Sequence, residues 1–190
     1  GSQPTDGGNL VVEEKDYAEV SSDPIAAKYL RPFRMGKELV RGLDRWCLWL
    51  EDVIPSDIAK SSALKTRLEA VRIMREKSTK QATRDFASTP HLFTEIRQPD
   101  TSYVGIPAVV SETRPFYTVA HLSAEVIAGN QLYTALDPDG FFFAIMSSSM
   151  FITWQRAVGG QLKSDLRFSN TLVWNNLPLP EVTEDLRVKI

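Results

Sequence analysis

The clearest pattern of apolar and polar positions lies toward the C-terminal end of the chain. A continuous apolar run, FFFAIM at residues 141–146, has the length of a buried strand and predicts one there. Three serines follow at 147–149, where a serine can accept a hydrogen bond from the free N–H groups at a helix start. Helical apolar spacing over residues 150–158, ended by a Gly-Gly pair, predicts the helix itself. A charged loop then leads to a second predicted strand at residues 171–174.

The rest of the chain alternates between helical and extended patterns. Apolar residues recur at helical spacing from 58 to 86, which predicts one long helix. Residues 46–50 predict a strand, and further short strands are predicted around Pro107 and at residues 131–136. Asp-Pro-Asp-Gly at 137–140 predicts a turn. Many short strands with helices at both ends favour an α+β fold over a doubly wound sheet, with a short-stranded mixed sheet and flanking helices.

Three segments of different composition divide the chain. Residues 1–22 are Gly-rich and acidic and lack apolar periodicity, which predicts a tag remnant followed by a linker or extended arm. Residues 23–180 carry the periodic patterns and are predicted to form one domain. Residues 181–190 predict the start of a helical C-terminal extension.

Composition narrows the possible classes of protein. The chain is 43% apolar and 24% charged. No apolar run reaches the roughly 18 residues of a membrane span, so we expect a cytoplasmic protein with no membrane partner. The one cysteine, Cys47, excludes an internal disulfide, and its aromatic neighbours favour a buried thiol. His91 and His121 lack a metal-ligand spacing, so we expect no metal site.

Sequence motifs for catalysis are absent. The chain contains no glycine-rich dinucleotide fingerprint, no phosphate-binding loop and no Gly-x-Ser-x-Gly elbow. The serines at 147–149 lack a recognisable histidine partner and are better explained as a helix cap. Asp137 and Asp139 stand beside proline and glycine and are better explained as turn formers than as a catalytic pair. We therefore expect no catalytic residues.

Charge is unevenly distributed along a chain whose net charge is −2. Residues 28–97 carry fifteen Lys or Arg against nine Asp or Glu, a net charge of +6. The helix predicted at 58–86 contributes many of these cations. Such a helix is either an ordinary solvated amphipathic helix or one that lies along a DNA backbone. On the second interpretation the phosphate contacts are Lys65, Arg72, Arg75, Lys77 and Lys80.

The charged loop between residues 160 and 169 has an alternating pattern. Single residues separate Lys163, Asp165 and Arg167, so in an extended segment the three side chains would project to one side. Lysine can donate to guanine O6 and N7, and aspartate can accept from cytosine N4, so the pair can read one base pair in the major groove. The alternative is an ordinary surface ion pair, which spacing alone favours.

A longer likeness favours the DNA interpretation. The run SSSMFITWQRAVGGQLKSDLRFSNTLVWNNLPLP closely resembles the target recognition domain of the MmeI-like, type II-L restriction–modification enzymes. The likeness extends to DPIAAKYLRPFRMGKELVRGLDRWCLWLED, to the basic helix and to IPAVVSETRPFY, and it covers about residues 23–180. It implies a module similar to half of a type I specificity subunit, which grips duplex DNA and selects the recognition sequence.

The resemblance also implies roles for individual residues. In that family a Lys-x-Asp arrangement goes with guanine at one recognition position, and a Glu-x-Arg arrangement goes with cytosine. Lys163 and Asp165 match the first form. Arg167 would read or support a neighbouring base, and further readers of the family would fall near Ser111 and Gln131.

On this resemblance, catalysis belongs to other domains of a parent chain that is an adenine DNA methyltransferase with restriction endonuclease activity. The implied partners are double-stranded DNA and the methyltransferase and C-terminal helical domains of the same chain. No cofactor is expected in this fragment, and S-adenosylmethionine is expected in the methyltransferase domain. The alternative function is a protein–protein assembly module that uses the tryptophan-rich residues 46–49 and has no nucleic-acid role.

Overall fold

The fold is described from a computed structural model that covers residues 1–179, 182 and 183. These residues divide into two compact units, which differs from the single domain predicted for 23–180. Unit 1 comprises residues 1–34, 43–98 and 125–130, and unit 2 comprises residues 35–42, 99–124 and the described residues from 131 onward. The helical extension predicted at 181–190 lies outside the described residues, apart from 182 and 183.

Short strands and helices alternate through both units. The described strands are β1 (Val11–Val12), β2 (Leu30–Arg34), β3 (Trp46–Leu48), β4 (Tyr103–Pro107), β5 (Val109–Val110), β6 (Ala120–Leu122), β7 (Ile127–Ala128), β8 (Leu132–Leu136), β9 (Gly160–Leu162) and β10 (Asp165–Arg167). The described α-helices are α1 (Glu14–Ser22), α2 (Gly36–Arg41), α3 (Pro55–Lys60), α4 (Ser62–Glu76), α5 (Gln81–Asp85), α6 (Phe141–Met146) and α7 (Ser149–Val158). The predicted α+β class is confirmed. Within the described residues, no helix combines the length and apolar character needed to cross a membrane.

Unit 1 is organised around a mixed four-stranded sheet in the order β1-β3-β2-β7. The first three strands are antiparallel neighbours, and β7 runs parallel to β2. The strand predicted at residues 46–50 is confirmed as β3, and Cys47 within it is fully buried. Burial in this apolar sheet raises the pKa of the Cys47 thiol far above its usual range, so the thiol is inert.

Residues 1–22 are folded into unit 1 and contribute several residues to its core, so the prediction of a linker or extended arm is wrong. Leu10, Val11 and Val12 are buried, and β1 pairs with β3. The buried Asp6 carboxylate accepts hydrogen bonds from the backbone N–H groups of Leu10 at 2.7 Å and Val11 at 2.8 Å. These bonds satisfy a buried charge that would otherwise be costly, so an acidic segment can enter an apolar core.

The basic helix predicted over residues 58–86 is divided into α3, α4 and α5. Ser61 adopts an extended conformation between α3 and α4, and its Oγ accepts a hydrogen bond from Leu64 N–H at 3.0 Å. The same hydroxyl donates to Asp23 at 2.6 Å. Lys80, also extended, separates α4 from α5. Such local side-chain hydrogen bonds compete with the backbone hydrogen bonds of a helix, and the spacing of apolar residues does not predict them.

Unit 2 contains two antiparallel three-stranded sheets, β6-β4-β8 and β5-β10-β9. Its core joins both sheets to α6 and α7 through Val104, Ile106, Val110, Tyr117, Met146, Phe151, Ile152, Leu166, Phe168 and Val173. The predicted helix is confirmed as α7, which begins with Ser148 Oγ accepting from Phe151 N–H at 3.1 Å.

The two strands predicted on either side of α7 are wrong. Residues 141–146 form α6, whose start is held by the buried carboxylate of Asp137. That carboxylate accepts from two N–H groups of the first turn at 2.9 and 3.0 Å. A short buried apolar run does not distinguish a strand from a helix. Here the Asp137 cap stabilises the helical conformation. Residues 170–174 form a π-helical turn that begins at the hydroxyl of Ser169.

Candidate nucleic-acid interface

The loop predicted to read DNA is a β-hairpin of unit 2. β9 and β10 pair antiparallel with Asp165 opposite Leu162, so Lys163 and Ser164 form a two-residue turn. Lys163 has a φ of 59°, in the left-handed region that favours glycine, and Ser164 does not. A positive φ at only the first central residue is the pattern of a type II′ turn, whose twist suits a hairpin. The turn places Lys163 at the tip of the hairpin.

The hairpin geometry differs in part from the prediction that Lys163, Asp165 and Arg167 project to one side of an extended segment. Lys163 lies in the turn, so it is not part of an extended run with the other two charged residues. Asp165 and Arg167 do share one face of β10, because alternate residues of a strand point the same way. Leu166 between them is buried and pairs in register with Val110 of β5. The packing of Leu166 therefore fixes which face carries the charged side chains.

The three charged side chains of the hairpin remain unpaired. Lys163 and Arg167 are exposed and Asp165 is partly exposed. Within residues 1–179, none of the three side chains makes an ion pair or a hydrogen bond. The ordinary surface ion pair between Lys163 and Asp165 is therefore not formed. Their charges are available to a ligand.

A buried glutamine of α7 holds the backbone of this hairpin. Gln155 is fully buried, and its Nε2 donates to the carbonyl oxygen of Arg167 at 3.0 Å. Gly159 leaves the space that this amide needs, since a Cβ at that position would lie 1.9 Å from Gln155 Nε2. The contact ties β10 to the helical core of unit 2, which positions the charged strand.

Arg167 also lines a surface groove of unit 2 with a volume of about 420 Å³. The groove is lined by Gly36, Lys37, Ala108, Val109, Gln131, Leu162 and Arg167. The structure thus brings together two residues that the sequence separates widely, Gln131 and Arg167. Gln131 is exposed, and its backbone carbonyl accepts from Ala108 N–H at 3.1 Å, which fixes it beside β5.

Ser111 lies near the same hairpin. It follows Val110 directly, and the antiparallel register of β5 with β10 places it toward the Asp165 end of β10. Its hydroxyl hydrogen-bonds with that of Thr113 at 3.1 Å, and it is partly exposed. Ser111, Gln131 and the hairpin residues therefore surround one three-stranded sheet.

Arg75 of α4, predicted to contact phosphate, is buried, and that prediction is wrong. Its side chain has no exposed surface, and its guanidinium donates to five backbone carbonyls. These carbonyls belong to Pro4, Thr5, Phe86, Thr89 and Leu92, at 2.8 to 3.0 Å. All five N–H donors of the side chain are used, so Arg75 holds unit 1 together and has none left for DNA.

Arg72 is exposed enough to meet a ligand, but its charge is already compensated. Its Nε donates to Glu69 at 2.8 Å, and Nη1 pairs with Glu76. These hydrogen bonds raise the pKa of Arg72 above its usual range, and the bond from Arg72 lowers the pKa of Glu69. By contrast, Lys65, Lys77 and Lys80 are exposed, and their ammonium groups have no partner in the described part of the chain.

Groups that sequence inspection tested for catalysis have structural partners. Ser147 Oγ donates to the carbonyl of Phe143 at 2.7 Å, and Ser148 caps α7. Asp137 is committed to the start of α6. Among the described residues, no group of three or more His, Cys, Asp or Glu side chains is placed to hold a metal ion.

The tryptophans proposed for an assembly surface pack inside unit 1. The ring of Trp46 lies 4.1 Å from that of Tyr17, and the ring of Trp49 lies 5.0 Å from that of Phe93, measured between centroids. Both tryptophans are only partly exposed. These contacts account for one aromatic neighbour of each tryptophan within unit 1.

Among the described residues, Lys163, Asp165, Arg167 and Gln131 are exposed or partly exposed around a short-stranded sheet, and such polar groups are the chemistry with which proteins contact nucleic acid. The chain belongs to the MmeI target recognition domain family, whose family model matches residues 1–181. This match begins earlier in the chain than the resemblance visible by inspection, and it includes the residues expected to be an arm.

Two relatives place the chain within longer proteins. It is 31% identical to DNA methyltransferase A of Bacillus subtilis (strain 168) over 184 residues, which are 96% of this chain and 21% of that protein. It is similar, with a TM-score of 0.89 and 35% identity, to the solved structure of the type IIL restriction–modification enzyme MmeI in complex with DNA. That match covers 99% of this chain and 25% of the MmeI chain. The chain therefore spans about a fifth to a quarter of these relatives.

Proposed function

We propose that this chain reads the DNA sequence for a restriction–modification methyltransferase and selects the site on which other domains of a longer chain act. The observation that carries the proposal is the hairpin of β9 and β10, which is held by the core while Lys163, Asp165 and Arg167 have no side-chain partner among residues 1–179. Charged groups without internal partners exchange hydrogen bonds to water for hydrogen bonds to a base edge, and no bond within the protein has to be broken. Family membership supports the same role.

Base reading is assigned to the hairpin and its groove. Lys163 donates to O6 and N7 of a guanine, and Asp165 accepts from N4 of a cytosine, so together they recognise one G·C pair in the major groove. Arg167 and Gln131 carry planar groups that can bond two atoms of a purine edge, and they read neighbouring bases. Ser111 adds a hydroxyl near the Asp165 end of β10.

Phosphate contacts in unit 1 are assigned to the exposed lysines Lys65, Lys77 and Lys80. Lysine is a compact charge on a flexible stem, which suits a phosphate whose position varies. Arg72 and Arg75 are left out, because the first is bridged by two glutamates and the second is buried. Such contacts position a protein on the duplex without choosing a sequence.

The parent chain is proposed to be an S-adenosylmethionine-dependent adenine DNA methyltransferase with restriction endonuclease activity, acting in the cytoplasm. The similarity to a DNA methyltransferase and to MmeI supports a multidomain parent. In this proposal the methyltransferase and C-terminal helical domains are the partners of the chain, and both catalysis and the cofactor reside there. The chain itself is non-catalytic and contributes the choice of sequence.

Selection from a pool of duplexes with a randomised centre tests the proposal. The 190-residue chain, incubated at low salt where phosphate contacts are strongest, should enrich a motif that contains a fixed guanine. The double variant Lys163→Ala with Asp165→Ala should still bind duplex DNA with the same salt dependence but should lose the preference at that position.

The controls distinguish a loss of sequence preference from a loss of overall binding to duplex DNA. Lys28→Ala provides a control at a lysine that is not among the proposed contacts and whose charge is already paired with Asp57. This variant should enrich the same motif as the wild type. Absence of any enriched motif from the wild-type pool, under conditions where duplex binding is measurable, would contradict the proposed function.

A further inference from the structure

We infer that Lys37 is a DNA contact that grips a backbone phosphate beside the bases read from the groove of unit 2. This inference rests on the proposed function and extends it to a residue that sequence inspection did not single out. Lys37 lies in the first turn of α2 and lines the same groove as Gln131 and Arg167. It thus adds a second cation to a surface that already carries one.

Lys37 has no structural role that would explain its position. It is exposed, and within residues 1–179 its ammonium group has neither an ion-pair partner nor a hydrogen bond. The carboxylate of neighbouring Glu38 is buried and turns back to accept from Met35 N–H at 3.1 Å. A positive charge in the first turn of a helix also faces the positive end of the backbone dipoles. No side chain in the described part of the protein therefore pairs with the charge of Lys37.

Arg167 increases this local excess of positive charge. Lys37 and Arg167 line one groove, and like charges near each other are mutually unfavourable. An anion in the groove would relieve both. Since Asp165 lies on the same strand face as Arg167 but does not pair with it, the hairpin does not supply that anion itself.

The chemistry of the three polar side chains divides their roles. Arg167 and Gln131 present planar groups that form paired hydrogen bonds with a base edge. Lys37 presents a compact, strongly hydrated charge on a flexible stem, which fits a phosphate better than a defined pair of base atoms. It also lies on a helix, outside the sheet that carries the base readers. We therefore assign it to the phosphate that flanks the bases in the groove.

The test compares single variants of the 190-residue chain in fluorescence anisotropy titrations. The probe is a labelled duplex with a randomised centre, and each titration is repeated over a series of salt concentrations. Lys37→Ala should weaken binding roughly five- to tenfold at about 0.1 M salt, since each phosphate contact contributes a slope of about 0.9 in log affinity against log salt. The slope itself should fall by about 1. Lys37→Arg should restore most of both.

Arg41→Ala is the matched control, because Arg41 is exposed on the same helix, carries the same charge and does not line the groove. It should keep the wild-type slope. An equal loss of affinity and slope in Arg41→Ala would mean that the effect reflects only the net charge of the protein, and it would overturn the proposed contact of Lys37. Unchanged affinity and slope in Lys37→Ala would also overturn it.

Selection from the random pool separates this inference from the proposed function. Lys37→Ala should enrich the same motif as the wild type. A changed motif would make Lys37 a base reader and contradict the phosphate assignment. Failure of the wild type to bind duplex DNA would instead contradict the proposed function. Within residues 1–179 the side chain of Lys37 makes no hydrogen bond or ion pair, so its variants should unfold at the same urea concentration as the wild type.

Discussion

The basic helix α4 of unit 1 and the hairpin of unit 2 differ in whether their charged side chains have partners within the protein. In α4, Arg75 gives all its donors to backbone carbonyls and Arg72 lies between two glutamates. In the hairpin, Lys163 and Asp165 lie two residues apart and yet do not pair. The segment with the larger net charge therefore has several of its cations already committed, and the segment with few charges leaves its cations free.

This difference shows that net charge is a poor guide to a binding surface. A cation whose hydrogen bonds are satisfied by its own protein must lose them before it can bind a ligand, and that loss offsets the gain. A cation without an internal partner gives up only its hydrogen bonds to water. The residues to test first are accordingly those without internal partners, even where the sequence around them is close to neutral.

The largest expected effect concerns stability at Arg75. Arg75→Met should lower the free energy of unfolding by about 4 kcal/mol or more, because five backbone carbonyl groups lose the buried guanidinium that is their common donor. The comparison variant, Arg72→Met on the same helix, removes only two exposed ion pairs and should leave the urea midpoint nearly unchanged. Urea unfolding followed by circular dichroism measures both.

The same pair of variants checks the division between structural and free cations. If Arg75→Met unfolded at the same urea concentration as Arg72→Met, the internal role given to Arg75 would be wrong. Folded Arg72→Met should also retain the salt dependence of DNA binding, whereas Lys77→Ala should reduce its slope by about 1. Equal slopes in these two variants would remove the contrast between bridged and free cations.

The next effect concerns specificity at the hairpin. Exchanging the charges in the parent enzyme, by Lys163→Glu together with Asp165→Arg, should change guanine to cytosine at one recognition position. Each good pair of hydrogen bonds to a base is worth about 1–3 kcal/mol of discrimination, so the preference should reverse rather than merely weaken. Genome-wide mapping of methylated sites measures the recognised sequence.

Single exchanges serve as controls for the double change. Lys163→Glu alone places two carboxylates at one base pair, and activity should fall without a new specificity because one carboxylate has no donor to meet. An unchanged recognition sequence in the double variant would remove Lys163 and Asp165 from base reading. It would leave the groove with Gln131 and Arg167 as the remaining candidate.

The comparison also shows what the sequence could predict. The helix at α7 and its serine cap follow from local patterns, because the hydrogen bonds that form them lie within a few residues. The strand β8 also follows from its local pattern, although its partner β4 lies about 30 residues earlier and is not identified by that pattern. Arg75 could not be assigned in this way. On an amphipathic helix a buried and an exposed arginine have the same spacing, and two of the carbonyls that bind it come from Pro4 and Thr5, about 70 residues away.

Two other differences have equally physical causes. The run at residues 141–146 is apolar throughout, so its periodicity is uninformative, and the buried Asp137 that caps it has the sequence context of an ordinary turn. The hairpin turn was not predicted because it lacks the glycine typical of such turns. Lys37 gave no local signal, since its relation to Gln131 and Arg167 exists only in the folded groove.

The smallest expected effect separates function from stability at the hairpin tip. Lys163 holds a φ of 59°, a conformation that costs a residue with a Cβ about 1 kcal/mol or more and that glycine adopts freely. Lys163→Gly should therefore stabilise the chain by about 0.5 kcal/mol, after allowance for the greater freedom of glycine in the unfolded state. It should also abolish the preference for guanine.

Ser164→Gly is the matched control, because Ser164 does not have a positive φ and should gain no stability. If Lys163→Gly lowered stability and kept the guanine preference, the role of Lys163 would be to form the turn. If it raised stability and lost the guanine preference, the role of Lys163 would be to read DNA, at the cost of a strained backbone.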